Sequence, residues 1–154
     1  MAARSENAES DGSPDLPDCG DAIDPTTFEQ ILEMDDDEEE REFSRSIVYG
    51  FFDQAEVTFT KMDAALDTSD LPTLSSLGHF LKGSSATLGL TKVKDSCEKI
   101  QHFGAMKDEN GTHDVTDRQR CLQLIRDTLK KVKVEYKEAE KILKRFYHEP
   151  DMPQ

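Results

Sequence analysis

Apolar residues recur at helical spacing along most of this chain, and no alternating pattern competes to predict a strand. Near the N-terminus, Phe28, Ile31 and Leu32 share one face of a short stretch. Asp24 precedes this stretch and is suited to cap it, because a carboxylate accepts hydrogen bonds from the first free amides of a helix. We therefore predict a short helix that ends near Met34.

Four longer stretches carry the same periodicity. They cover residues 39–67, 71–88, 91–104 and 116–146, and each has polar residues on the face opposite its apolar stripe. The last stripe predicts about eight turns of helix, with its core face formed by Leu122, Ile125, Leu129, Val132, Tyr136, Ala139, Leu143 and Phe146.

Residues suited to helix ends separate these stretches. Asp70 is placed to cap the third helix, and Gly89 to end it in the left-handed conformation. Thr91 is predicted to cap the fourth helix. Thr116 with Gln119 has the spacing of a capping box for the fifth.

Four long amphipathic helices with mostly short connections predict an all-α fold, an antiparallel four-helix bundle with a short extra N-terminal helix. We expect a disordered acidic tail over residues 1–23, the bundle over residues 24–148 and a C-terminal tail over residues 149–154. The polar residues 107–115 are predicted to form a surface loop.

The formal net charge of −14 lies in the first 40 residues, where Arg4 stands against fifteen Asp and Glu, while residues 41–154 carry eighteen charges of each sign. This distribution argues against nucleic acid and against an anionic membrane surface as partners, because both require clustered Lys and Arg. A chain of 154 residues without a long apolar run predicts one soluble domain. Without an apolar signal-peptide core, we expect it to remain inside the cell.

The cysteines fit neither a disulfide framework nor a metal motif. Cys19, Cys97 and Cys121 are odd in number and widely spaced, so we predict reduced thiols, two of them on helix core faces. No histidine pair has the spacing, with carboxylates, of a metal site, and we expect no bound metal.

The third predicted helix carries a candidate for phosphoryl chemistry. Its periodicity places His79 opposite the apolar stripe, facing water. Lys82 lies one turn away and is able to offset phosphoryl charge, Gly83 leaves the approach open, and Ser84 is able to donate a hydrogen bond. A neutral imidazole at cellular pH has a lone pair for nucleophilic attack.

The spacing is also compatible with an ordinary structural role for the same residues. In that alternative His79 is a surface histidine, Lys82 a solvated charge, and Gly83 a close contact with a neighbouring helix. Spacing alone leaves both interpretations open. We expect no function for the other three histidines, which are His102, His113 and His148.

The chain resembles the histidine-containing phosphotransfer (HPt) proteins of fungal phosphorelays. The resemblance is strongest in His79-Phe80-Leu81-Lys82-Gly83-Ser84-Ser85 followed by Leu88-Gly89-Leu90. It extends over most of residues 25–147 through Ile31-Leu32-Glu33-Met34-Asp35-Asp36-Asp37, Phe52-Asp53-Gln54-Ala55 and Cys97-Glu98-Lys99-Ile100-Gln101.

The resemblance implies roles for individual residues. His79 would accept a phosphoryl group from an aspartate on one receiver domain and return it to an aspartate on another. Gln101 matches a family glutamine that is expected to orient the imidazole by a hydrogen bond. Receiver domains would dock around the histidine on Ile31, Met34, Ile47, Phe80, Gly83 and Ser84, although Ile31 and Ile47 are equally compatible with the core.

The function implied by the resemblance is that of a monomeric phosphocarrier between a hybrid sensor kinase and response regulators, in cytoplasm and nucleus. It would have no cofactor and no independent catalysis, and the receiver domain would supply Mg²⁺. Two alternatives remain. One is a helical bundle that only binds partners, and the other is the phosphoacceptor part of a histidine kinase, where an acidic residue rather than Phe80 usually follows the histidine.

Overall fold

The computed structural model describes residues 22–36 and 41–147, which form helices and loops without a β-sheet. The helices are α1 (Pro25–Leu32), α2 (Glu42–Asp67), α3 (Leu71–Leu88), α4 (Thr91–Gly104) and α5 (Arg118–Phe146). The predicted all-α class is therefore confirmed. None of these helices combines the length and the hydropathy needed to cross a bilayer.

Helices α2 to α5 form the bundle. Helix α3 packs between α2 and α4, while α5 packs against α4 and closes the bundle against α2. The short helix α1 lies against α2 and α3. This order places α3 and α5 at opposite corners, so one long face of α3 is free of α5.

The apolar stripes predicted from the sequence form the core. All eight predicted core residues of α5 are buried. The buried Tyr136 hydroxyl donates to a Glu56 carboxylate oxygen on α2 at 2.9 Å, which joins α5 to α2 inside the bundle. Two α2 residues of the predicted apolar side are less buried, since Ile47 is only partly buried and Phe43 is 41% exposed.

Several predicted helix ends are confirmed. The Asp24 carboxylate accepts from the Thr26 amide, and the Asp70 carboxylate accepts from the Thr73 amide, both at 3.2 Å. Gly89 ends α3 with φ of 77°, in the left-handed region that favours glycine.

Two predicted caps are wrong. Helix α4 begins one residue after Leu90, so Thr91 is its first helical residue and not its cap. Helix α5 is capped by Asp117, whose carboxylate accepts from the Arg120 amide at 3.1 Å. The predicted capping box at Thr116 fails because the chain turns into the helix one residue later, where the carboxylate reaches the free amide.

The predicted boundary of the N-terminal tail is also wrong by two residues. Ala22 and Ile23 are buried at 3% and 1% exposure, because the Asp24 amide donates to the Gly89 carbonyl at 2.7 Å and holds this segment against the bundle. The other predictions for the tails, Cys19 and His148 lie outside the described residues.

The start of α2 depends on a side chain from outside the helix. The helix begins at Glu42, later than the predicted residue 39. The Asp35 carboxylate accepts from the Ser44 amide at 2.8 Å and from the Ser44 hydroxyl at 2.7 Å. Asp35 thereby satisfies a free amide of the first turn and ties the α1–α2 connection to the bundle.

Glycines bring α3 and α4 into backbone contact. A Cβ added to Gly78 would lie 2.8 Å from both the Cys97 carbonyl oxygen and the Gln101 amide nitrogen. A Cβ on Gly104 would lie 2.6 Å from the Ser75 amide nitrogen. Only glycine permits this separation, so these two positions determine how closely the two helices approach.

The two described cysteines are free thiols inside the core, as predicted. Cys97 lies on α4 beside Gly78, and burial raises the pKa of its thiol to about 12. Burial likewise raises the pKa of the Cys121 thiol. Both therefore act as small apolar core groups at neutral pH.

We expect Gly78→Ala to lower the free energy of unfolding by about 1–3 kcal/mol, because the new methyl group meets backbone atoms that cannot rotate away. Gly50→Ala on α2 is the matched control, since a Cβ there would meet nothing within 4 Å. Urea unfolding of both variants measures the difference. Equal stability of the two variants would contradict the close contact.

Candidate functional site

His79 lies on the solvent face of α3, as its position in the helical pattern predicts. The residue is exposed, whereas the preceding Gly78 is buried against α4. Successive helical residues point about 100° apart. The contact that buries Gly78 therefore directs the neighbouring imidazole to the rim of the α3–α4 seam.

An open cleft of about 660 Å³ borders His79 along this seam. The Ser75 hydroxyl donates to the Gln101 carbonyl oxygen at 2.8 Å and joins its two walls. The lining contains no Asp or Glu, although the chain has 33 of them. It is formed by Leu71, Pro72, Ser75, Ser76, His79, Gln101, Gly104, Ala105, Met106 and Arg118.

Gln101 faces the same cleft, beside the histidine. Its Oε1 atom is buried and has no hydrogen-bond partner among the described residues. This oxygen therefore accepts no hydrogen bond from the His79 imidazole in this conformation. The arrangement leaves a buried acceptor next to His79, open to a donor on the imidazole or on a bound molecule.

Lys82 lies one turn beyond His79 and forms an interhelical ion pair. Its Nζ lies 3.9 Å from Glu98 Oε2 on α4, and the two side chains are 30% and 41% exposed. The same carboxylate oxygen lies 4.0 Å from His102 Nε2. Lys82 is therefore not the freely solvated charge of the alternative interpretation.

His102, for which the sequence predicted no function, makes defined contacts in the structure. Its Nδ1 lies 2.8 Å from the Glu109 carbonyl oxygen, and its side chain is 20% exposed. The ring packs against Gly111, which has φ of 75° and no room for a Cβ. His102 thus anchors the α4–α5 loop to α4.

The α4–α5 loop covers residues 105–117, close to the predicted 107–115. Lys107 and Asp114 pair at 2.6 Å across it. The Thr112 amide donates to the Asp108 carboxylate at 3.0 Å and lowers its pKa to about 2. His113 contacts the same carboxylate at 3.2 Å and is otherwise exposed.

The predicted docking residues differ in exposure. Met34 and Phe80 are 64% and 48% exposed, whereas Ile31 is 9% exposed and belongs to the core. Ile47 is partly buried and lines a groove of about 360 Å³ between α2 and α3. Ser84 lines the same groove, which consists of Ser46, Ile47, Gly50, Phe51, Gln54, Ser84, Thr87 and Leu88.

No contact among the described residues requires position 83 to be glycine. It is exposed, and a Cβ added to it would meet nothing within 4 Å. A glycine inside a helix costs about 1 kcal/mol relative to alanine. The alternative role of a close helix contact therefore belongs to Gly78 and Gly104, and not to Gly83.

The described residues contain no group of three or more His, Cys, Asp or Glu side chains arranged to hold a metal ion. The site consists of an exposed nucleophilic nitrogen, a nearby ammonium group and an unobstructed approach. A site with these three features is able to receive and release a charged substituent. The sequence did not predict the roles of Glu98 and His102, because each role depends on a contact across a helix–helix seam or with a loop.

Comparison with known proteins places these features in a family. The family model described as Hpt domain matches residues 47–135. Multistep phosphorelay regulator 1 of Schizosaccharomyces pombe is 49% identical over 125 residues, which cover 81% of this chain and 42% of that protein. Phosphorelay intermediate protein YPD1 of Candida albicans is 50% identical over 82 residues, which cover 53% of this chain and 44% of that protein. The chain thus spans less than half the length of the curated relatives it matches.

Solved structures agree with the fold. One contains the Saccharomyces cerevisiae histidine phosphotransfer signaling protein Ypd1 together with the receiver domain of its downstream response regulator Ssk1. Its similarity has a TM-score of 0.71 with 32% sequence identity and covers 86% of this chain and 97% of that chain.

We expect Gly83→Ala to raise the free energy of unfolding by up to about 1 kcal/mol, because alanine favours the helix and no atom obstructs the methyl group. Thermal unfolding followed by circular dichroism measures the change. A lower stability would show that the fold itself requires this glycine.

Proposed function

This chain belongs to the Hpt domain family, and from that membership we propose that it is a phosphorelay intermediate. It accepts a phosphoryl group on His79 from an aspartate of one receiver domain and passes it to an aspartate of another. The observation that carries this proposal is the exposed imidazole of His79, which borders an open cleft and lies one turn from Lys82.

The chemistry requires little of this chain beyond the imidazole. A ring nitrogen lone pair attacks phosphorus, the P–N bond forms, and the P–O bond to the aspartate breaks, so that the carboxylate leaves with the bonding electron pair. The proton on the other ring nitrogen is released to water. The return step reverses these changes toward a second aspartate, and so the phosphoryl group moves without hydrolysis.

The partners follow from the same proposal. The donor is the receiver domain of a hybrid sensor kinase, and the acceptors are receiver domains of response regulators. The Ypd1 structure that contains the Ssk1 receiver domain supports this class of partner. We propose that the receiver supplies Mg²⁺, and that this chain acts as a monomer without independent catalysis in cytoplasm and nucleus.

The docking surface is proposed to lie on α3 and the adjoining parts of α1 and α2. Phe80 follows His79 on α3 and Met34 follows α1, both with exposed apolar area, and an exposed aromatic residue is suited to anchor a partner. Gly83 supports this assignment, because no contact inside the described fold requires the absence of a side chain at this position. The space above Gly83 is thus left for a partner.

We expect the wild-type protein to gain acid-labile, alkali-stable label when it is incubated with a phosphorylated receiver domain and Mg²⁺, and His79→Gln to gain none. His113→Gln is the matched control, since His113 lies in the α4–α5 loop and 82% of its side chain is exposed. It should be labelled like the wild type.

Label on the His79→Gln variant would assign the phosphoryl group to another residue. Absence of label on the wild type with several receiver domains, including that of Ssk1, would favour a bundle that only binds partners. Label obtained from ATP without a receiver domain would favour the kinase alternative.

We expect Gly83→Gln to slow phosphoryl transfer at least tenfold at limiting receiver concentration, because the new side chain occupies the docking space without disturbing the fold. Val134→Gln on α5 is the control, since Val134 is 70% exposed and lies on the helix opposite α3. Rapid-quench kinetics measures both rates. Equal rates would remove Gly83 from the docking surface.

A further inference from the structure

The ion pair beside His79 is shared between two helices. Lys82 extends from α3, and its Nζ lies 3.9 Å from Glu98 Oε2 on α4. Because His79 and Lys82 are three residues apart, they lie on neighbouring positions of the same helix surface. The lysine closest along the helix to the reactive histidine therefore already has a carboxylate partner before any phosphoryl group arrives.

His102 restricts the position of this carboxylate. A backbone carbonyl only accepts hydrogen bonds, so His102 Nδ1 carries the proton in its 2.8 Å contact with the Glu109 carbonyl oxygen. This contact fixes the ring with Nε2 directed at Glu98 Oε2, at 4.0 Å. The Glu98 carboxylate thus lies between Lys82 and the anchored ring, and the ring occupies one of the sides to which this side chain could otherwise move.

We propose that Glu98 is a positioning residue that competes with the phosphoryl group for Lys82 and thereby sets how strongly His79 retains phosphate. This inference rests on the proposed function. With His79 unmodified, Lys82 pairs with Glu98. With His79 phosphorylated, the phosphoryl group brings up to two negative charges and draws the ammonium group away from the carboxylate. The exchange moves one charged side chain and makes no covalent bond to Glu98.

The competition has a direction and a limited size. Part of the attraction between Lys82 and the phosphoryl group is offset by loss of the Lys82–Glu98 pair, so Glu98 weakens retention of phosphate. Exposed ion pairs alter an equilibrium by up to about fivefold. Loss of Glu98 should therefore favour phosphohistidine by about two- to fivefold.

The chain contains a matched ion pair remote from the histidine. Lys92 Nζ and Glu138 Oε1 lie 3.9 Å apart between α4 and α5, and the side chains are 41% and 51% exposed. This pair has the same separation as Lys82–Glu98 and similar solvent access. Glu138→Gln thus removes one negative charge and one interhelical pair without altering the surroundings of His79.

The experiment measures the equilibrium distribution of phosphate between a receiver domain and this protein. Phosphorylated Ssk1 receiver is mixed with wild type, Glu98→Gln or Glu138→Gln in Mg²⁺, and the phosphorylated fraction of each protein is quantified. We expect Glu98→Gln to shift the equilibrium constant toward phosphohistidine by about two- to fivefold. Glu138→Gln should leave it unchanged.

A double-mutant cycle separates the proposed competition from direct repulsion between Glu98 and the phosphoryl group. If Glu98 acts through Lys82, the effect of Glu98→Gln should fall to less than half, on a logarithmic scale, in a Lys82→Ala background. Direct repulsion needs no lysine and would leave the effect in full. Thermal unfolding of each variant shows that the fold is retained.

The outcomes also separate this inference from the proposed function. A wild-type protein that accepts no phosphate from any receiver would overturn both. A phosphorylated wild type whose equilibrium is the same in Glu98→Gln would overturn the inference alone, as would an equal shift in Glu138→Gln. A shift retained in full after Lys82→Ala would assign Glu98 to direct repulsion and likewise overturn it.

Discussion

The close contact between α3 and α4 is the constraint on which the candidate site depends. Gly78 and Gly104 allow the two backbones to approach until the space for a Cβ is lost. Gly78 is followed directly by His79, so the contact that joins the helices also determines where the imidazole points. Gln101 enters the site through the same contact, because its backbone lies against Gly78. A site on two helices joined in this way is held more rigidly than one on loops.

Much of the fold follows from local pattern. The stripe on α5 and the exposed position of His79 were predictable because helical periodicity alone separates buried from solvent-facing positions. The exact starts of α4 and α5 were not, since Leu90 and Asp117 become caps through the path of the preceding turn. The burial of Ile23 results from packing against the bundle. The composition of residues 1–23, which is rich in polar residues, gives no sign of this packing.

The parts of the site that escaped prediction are those made by two segments together. Periodicity identifies Gly83 as unusual on its helix but does not distinguish a close helix contact from an open surface. The structure separates the two cases, because Gly78 meets backbone at 2.8 Å and Gly83 meets nothing. The contacts of Glu98 with Lys82 and with His102 have no local signature of this kind.

The proposed phosphocarrier role requires that the site release what it binds, so the cations near His79 must not retain a phosphoryl group too strongly. A cluster of unpaired cations would stabilise the phosphoryl group on the imidazole and hinder its onward transfer, since each added positive charge favours the more negative state. Many carboxylates near the imidazole, at the density found in the acidic first 40 residues, would instead repel the incoming phosphoryl group. The site lies between these limits, because the cleft lining contains Arg118 but no carboxylate, and Lys82 is already paired with Glu98. For the proposed shuttle between two aspartates, we expect this arrangement to keep the two directions of transfer close in free energy.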